Sequence, residues 1–159
     1  VLYDVINNFV LDGSLSTVST GENAMALKHL DCSTSGDLII YDRGYPSFSL
    51  INEHYDRGIE FLVRTKISFN NATREFYESG LSTDIVRIYP GKNSKLSDKS
   101  YTKNAYREVR LVRVHLKSGE TEILMTSLVN SAKFPNQLFK KLYYRRWGVE
   151  TFYDELKNH

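Results

Sequence analysis

Apolar and polar positions along this chain follow two rhythms, one of strands and one of helices. Leu2–Ile6 and Phe9–Leu11 are short β-branched and aromatic runs around Asn7-Asn8. Asparagine tolerates the positive φ of a tight turn, so a hairpin is predicted here. From Gly21 to Leu30, helix formers with apolar returns at Met25, Leu27 and Leu30 predict a helix, and Ser35-Gly36 breaks the chain after it. Asp37–Tyr41 is an apolar run of buried-strand type that ends at Asp42. Pro46 and Ser47 open a helix with apolar residues at Phe48, Leu50, Ile51 and Tyr55, and Gly58 closes it. Ile59–Val63 reads as the next strand. Strand, helix, strand in that order predicts a parallel βαβ unit with a right-handed crossover.

The middle of the chain changes character. Arg74–Leu81 and Asp84–Tyr89 contain alternating segments. Tyr106–Leu116 and Thr121–Val129 are longer predicted strands, joined by a hairpin at Lys117-Ser118-Gly119. Residues 90–100 form a polar, Lys/Ser-rich loop. Pro135 then suits the first turn of a final helix that runs to the end. On that helix Leu138, Leu142, Val149, Phe152 and Leu156 share one face and would meet a core. Tyr143, Arg146, Glu150 and Lys157 return at three, four and seven residues. At roughly 100° per residue they fall within a sector of about 60°. A carboxylate set among cations suits a metal ion and a polyanion held together.

Composition narrows the class without naming it. A chain of 159 residues supports one core and one domain. Its 41% apolar and 25% charged residues are ordinary for a globular protein. A net charge of +2 permits a nucleic-acid partner but does not require one. The lone Cys32 rules out an internal disulfide and a paired-cysteine metal site, which fits a reducing compartment. His29, His54, His115 and His159 are scattered, with no pair at metal-ligand spacing. No signal peptide is visible, and no apolar run approaches bilayer length. The chain begins at Val1 and stops after an amphipathic run without a helix-ending glycine or proline, so a fragment of a longer protein is expected.

Asp42 sits where an apolar strand gives way to Arg43-Gly44-Tyr45-Pro46. In open α/β sheets, ligands gather beyond the carboxyl ends of strands. A carboxylate there can hold a hard cation such as Mg²⁺, and Glu150 could supply a second oxygen ligand. Taken alone, Asp42 reads more readily as the cap of the next turn, and Glu150 as an i, i+4 partner of Arg146 on a solvated face. Asp154, four residues beyond Glu150, is the rival acid, and Trp147 near the same face could stack on a base or pack beneath the helix.

The pattern Y-x-x-R-x-x-x-E-x-x-x-x-x-x-K resembles the signature of a large group of bacterial insertion-sequence DDE transposases, with Tyr143, Arg146, Glu150 and Lys157 in its four places. L-Y-D-V near the start, D-L-I-I-Y-D-R-G-Y-P around Asp42 and F-L-V-R after it are similar to words of the same family. The resemblance spans essentially the whole chain and is weakest in the 90–100 loop. It implies an α/β fold: a ribonuclease H-like core (1–66), a β-rich insertion (67–132) and a catalytic helix (133–159). By the same resemblance, Asp42 and Glu150 correspond to the second and third acids of a triad that binds two divalent metal ions, normally Mg²⁺, with Mn²⁺ as a substitute. Tyr143, Arg146 and Lys157 correspond to positions that grip DNA near the scissile phosphate. The partners implied are transposon-end and target DNA and a second protomer, in a bacterial cytoplasm at the nucleoid.

One part of the family pattern has no counterpart. The first acid of the triad belongs on a strand well upstream of the second. Asp12 lies only thirty residues before Asp42. Leu2–Leu11 resembles the family's second and third strands, and Asp4 belongs to the Y-D-V word. The first acid and the end-recognising N-terminal region are therefore expected upstream of Val1, and this polypeptide alone is expected to bind metal poorly and be inactive. A metal-dependent nuclease without strand transfer and a non-enzymatic DNA-binding remnant are the alternatives.

Overall fold

The computed structural model describes residues 1–13, 21–91 and 104–158, with the side chains of 22, 152, 153, 155, 156 and 158 outside that description. Ser14, most of the 90–100 loop, the side chains of Phe152 and Leu156, and His159 therefore lie outside the described residues.

The predicted hairpin is present as β1 (Leu2–Asp4) and β2 (Phe9–Asp12), an antiparallel pair that forms its own two-stranded sheet. Asp4 builds the turn, accepting from the Ile6 and Asn7 amides at 2.9 Å each and from the Asn7 side chain at 2.9 Å. Asn8 takes φ 59°, the left-handed conformation that asparagine tolerates. Then α1 (Glu22–His29) runs into a short 3₁₀ turn, Leu30–Cys32.

The βαβ unit is also present. β3 (Leu38–Tyr41) pairs parallel to β4 (Glu60–Thr65) in the register Leu38↔Glu60 to Tyr41↔Val63. Between them lies α2 (Phe48–Arg57). Ser47 caps it, its hydroxyl accepting from the Leu50 amide at 3.2 Å, and Gly58 ends it at φ 65°. Glycine is favoured there on two counts: the φ is left-handed, and an added Cβ would lie 2.8 Å from the Ser35 hydroxyl, which would have to shift.

The β-rich middle continues the same sheet. β5 (Thr83–Ile88), β6 (Arg107–His115) and β7 (Thr121–Thr126) form an antiparallel meander. β7 pairs antiparallel with β4, giving one mixed five-stranded sheet in the order β3-β4-β7-β6-β5. Strand alternation sorts its side chains to two faces. Ile39, Tyr41, Phe61, Val63, Leu111, Ile123 and Met125 pack with Ala26, Leu50, Ile51 and Phe76 from the helices on one side. Leu62, Val112, Val114 and Leu124 pack with Phe139 and Tyr143 on the other. The fully buried Phe139 alone is worth about 2–3 kcal/mol of apolar burial.

Two predicted elements differ. Most of the alternating segment expected at Arg74–Leu81 is instead helical, within α3 (Asn71–Ser79). Asn70 caps it by accepting from the Thr73 amide at 2.8 Å, and Thr73 and Phe76, three apart, are its buried positions. The single final helix is two: α4 (Asn136–Tyr144) and α5 (Trp147–Asn158), with Pro135 as the N-cap of the first rather than within its first turn. The amides of Arg145 and Arg146 reach back only three residues, to Leu142 and Tyr143, at 3.1 Å each. Those of Gly148 and Val149 do the same, to Arg145 and Arg146. This tightened stretch interrupts the α-helical bonding between α4 and α5, and Gly148, a poor helix former, sits within it.

Arg110 anchors the start of α4. It is 2% exposed, yet no carboxylate among the described residues meets it. Its guanidinium donates to Thr83 Oγ1 at 2.9 Å, to the Phe134 carbonyl at 2.7 Å, to the Leu128 carbonyl at 3.4 Å and to Asn136 Oδ1. Its face lies 5.0 Å from the Phe139 ring centroid.

Candidate active site

Asp42 follows β3 directly and continues the alternation of Leu38 and Ile40, which places it at the sheet face that α4 covers. Its Oδ1 accepts three bonds: from the Arg43 amide at 2.7 Å, from Arg64 Nη2 at 2.9 Å and from the Tyr143 hydroxyl at 3.2 Å. Its Oδ2 has no partner among the described residues, and the side chain is 44% exposed. Burial pushes the Asp42 carboxyl up, but the Arg43 amide, the Arg146 and Arg64 guanidiniums and the Tyr143 hydroxyl outweigh it and hold it below the ordinary range.

Arg64 stands on β4 two residues beyond Leu62, so it projects to the same face. It bridges two acids, with Nη1 at 2.6 Å from Glu122 Oε1 on β7. Tyr143 comes down from the last turn of α4. Burial and the charge of Asp42 push its phenol up to about 12. It is therefore a protonated donor at neutral pH.

Arg146 occupies the bend between α4 and α5. Its guanidinium lies 5.8 Å from the Tyr143 ring centroid and donates to Glu150 Oε1 at 2.7 Å. A continuous series of contacts thus runs Glu122, Arg64, Asp42, Tyr143, Arg146, Glu150. Because the final helix is broken, Tyr143 and Glu150 are related through Arg146 and not by one helical wheel. Glu150 and Lys157 both lie on α5, seven residues apart, and both are exposed. Arg64 and Arg146 each keep a buried Nε–H with no partner.

The other candidates are engaged elsewhere or open. Asp12 Oδ2 is 2.7 Å from His29 Nδ1, and Asp4 closes the hairpin turn. His54 is buried between the Tyr41 hydroxyl and the Ile59 carbonyl. Trp147 is 55% exposed at the first position of α5, and Asp154 is exposed. Arg64 and Glu122 are members of the cluster that the sequence reading did not single out. The signal for Arg64 lay in the F-L-V-R run, where alternation sets it beside Asp42 on the neighbouring strand. Glu122 carried no local signal.

The donor set fits a hard divalent cation in part. Asp42 Oδ2 and Glu150 Oε2 are carboxylate oxygens without partners among the described residues. Two carboxylates completed by water and phosphate oxygens are a usual Mg²⁺ environment. No group of three His, Cys, Asp or Glu side chains placed to hold a metal occurs among the described residues. No helix among the described residues is long and apolar enough to cross a membrane.

A family model described as the transposase DDE domain matches residues 1–159. The chain is also similar to the transposase InsG for insertion sequence element IS4 of Escherichia coli (strain K12), at 21% identity over 154 residues. That match covers 97% of this chain and 34% of the relative, so the chain spans about a third of the length of the curated protein it matches.

Proposed function

The chain belongs to the DDE transposase family, and we propose that it carries the second and third acids, Asp42 and Glu150, of a metal-dependent site that cleaves DNA at insertion-sequence ends and joins it to a target. In this reading the mixed sheet is a ribonuclease H-like core extended by its β-rich insertion. The observation that carries it is the contact series through Tyr143 and Arg146, which ties an acid at the end of a sheet strand to an acid on α5.

Divalent ions held by Asp42 and Glu150, Mg²⁺ above all, would supply activation of a hydroxyl nucleophile and neutralisation of a leaving oxygen. The chain's own groups do the rest. Asp42 is kept ionised by the Arg43 amide, the two guanidiniums and the Tyr143 phenol, so it is ready to act as an oxygen ligand at neutral pH. Arg64 and Arg146 bring guanidiniums beside it, whose chemistry suits phosphate oxygens. Lys157 adds a point charge two turns along α5, where it would meet DNA backbone. Two protomers would each take one transposon end.

The test is incubation of the full-length protein that contains this chain with Mg²⁺ and duplexes carrying the element's ends. Nicking at the end followed by joining of the 3′ end to a second duplex supports the proposal. Nicking without joining would indicate a nuclease, and binding without either would indicate a DNA-binding remnant.

A further inference from the structure

A cleft of about 400 Å³ opens at the sheet end that carries Asp42, and its lining includes Arg43, Arg64, Lys66, Ser68, Arg74 and Glu122. Four cations thus face one carboxylate, and that carboxylate is already bonded to Arg64. Arg43, Lys66 and Arg74 are exposed and have no acidic partner among the described residues. Three arginines elsewhere on the surface do have such partners: Arg57 pairs with Asp31, Arg87 with Glu108 and Arg107 with Asp56. Arg74 also lies at the fourth position of α3, whose first turn holds no acid. A cation there adds to the positive end of the helix dipole, an arrangement that an anion relieves. The cleft crosses the end of the sheet, from Arg64 and Glu122 on the α4 side to Arg74 on α3, which packs on the other face.

We propose that this cleft is a second DNA-backbone site, in which Lys66 and Arg74 carry a strand onward from the Asp42 cluster toward α3. Long exposed cations read phosphates and not base edges, so binding here is independent of sequence. The ligand is a phosphodiester backbone, supplied either by DNA flanking the transposon end or by the target duplex. The identification of the ligand rests on the transposase reading.

The test is the salt dependence of DNA binding by the double variant Lys66→Ala, Arg74→Ala. One arm uses an end duplex with flanking DNA, and the other a random-sequence duplex offered to the end-bound protein. Loss of two phosphate contacts should lower the slope of log K against log salt by about 1.8 and reduce its loss of affinity between 50 and 200 mM salt by about tenfold in the arm whose DNA uses the cleft. A double variant of equal charge loss on other surfaces, Lys28→Ala, Lys133→Ala, should leave both slopes unchanged. Unchanged slopes in both arms, or an equal fall in the control variant, would overturn the proposal. End cleavage by the full-length protein that contains this chain reports separately: cleavage with unchanged slopes rejects the cleft alone, and a lowered slope on random duplex without cleavage rejects the transposase reading and leaves the cleft.

Discussion

The Tyr143 hydroxyl donates to Asp42 Oδ1 at 3.2 Å across 101 residues of chain. It joins the last turn of α4 to the end of the first strand of the five-stranded sheet. Removing only the hydroxyl, in Tyr143→Phe, keeps the ring in its apolar setting against the sheet. The lost bond should cost about 1 kcal/mol or less of stability. The Asp42 carboxyl should titrate at higher pH, since one of the groups holding it down is gone. Carboxyl ¹³C chemical shifts followed through a pH titration of both proteins would show the rise; coincident curves would remove Tyr143 from the control of Asp42.

For the two acids, the informative substitutions keep shape and remove charge. In the full-length protein, Asp42→Asn and Glu150→Gln should each lower end cleavage by at least a hundredfold while end binding persists. Asp42→Asn leaves Arg64 and Arg146 without that countercharge, so its DNA affinity should rise slightly and not fall. Gel-shift and cleavage assays run on the same preparations separate the two effects. Normal cleavage by either variant would remove that residue from the site.

Acid stability should depend on a residue away from the site. His54 is 1% exposed, with Nδ1 at 3.0 Å from the Ile59 carbonyl and Nε2 at 2.9 Å from the Tyr41 hydroxyl. The carbonyl can only accept, so Nδ1 carries the proton and Nε2 accepts from the tyrosine. Burial is the main cause that pushes this imidazole down to about 4 from an ordinary 6.5. Below pH 6.5 the unfolded chain therefore binds a proton that the folded protein refuses, and stability falls as pH drops from 6.5 toward 4. The full effect is about 3 kcal/mol. His54→Gln should start from a lower melting temperature but lose less of it between pH 7 and pH 4.5 than the parent. Parallel losses would show that the imidazole does not contribute.

Arg110 should be among the costliest polar side chains to remove. Arg110→Met strands the Leu128 and Phe134 carbonyls, Thr83 and Asn136 beneath the sheet, at about 3 kcal/mol. Arg110→Lys keeps the charge but cannot reach four acceptors in a fork, and should recover less than half of that loss. Urea denaturation would measure both. Equal stabilities for parent and Met variant would mean that α4 is held by apolar contacts alone.

The sequence carried the βαβ unit well, because its signals are local. A four-residue apolar strand, a serine cap and a left-handed glycine lie in one short stretch. α3 was hidden by the composition of Arg74–Tyr77, where polar and aromatic residues lie side by side and blur the helical period; the Asn70 cap was the clue that outranked it. The break between α4 and α5 was invisible to periodicity, since the spacing of Tyr143, Arg146 and Glu150 is compatible with one helix and the three-residue bonds are not a property of spacing. Asp42 could be placed from the end of its strand. Glu122 could not be, because it meets Arg64 only through the antiparallel pairing of β4 with β7, a contact between residues 58 apart in sequence.

The bend at Arg145–Arg146 also divides responsibility for the two acids. α4 is fastened to the sheet through Phe139, Tyr143 and the Arg110–Asn136 contact. α5 instead meets the small hairpin, where a Cβ at Gly148 would lie 3.6 Å from both Tyr3 and Val5. The first turn of α5, which carries Glu150, thus lies against an element that belongs to neither the main sheet nor α4. Bulk added at Tyr3 or Val5 would retune the spacing of the carboxyl groups while leaving every strand of the main sheet where it is.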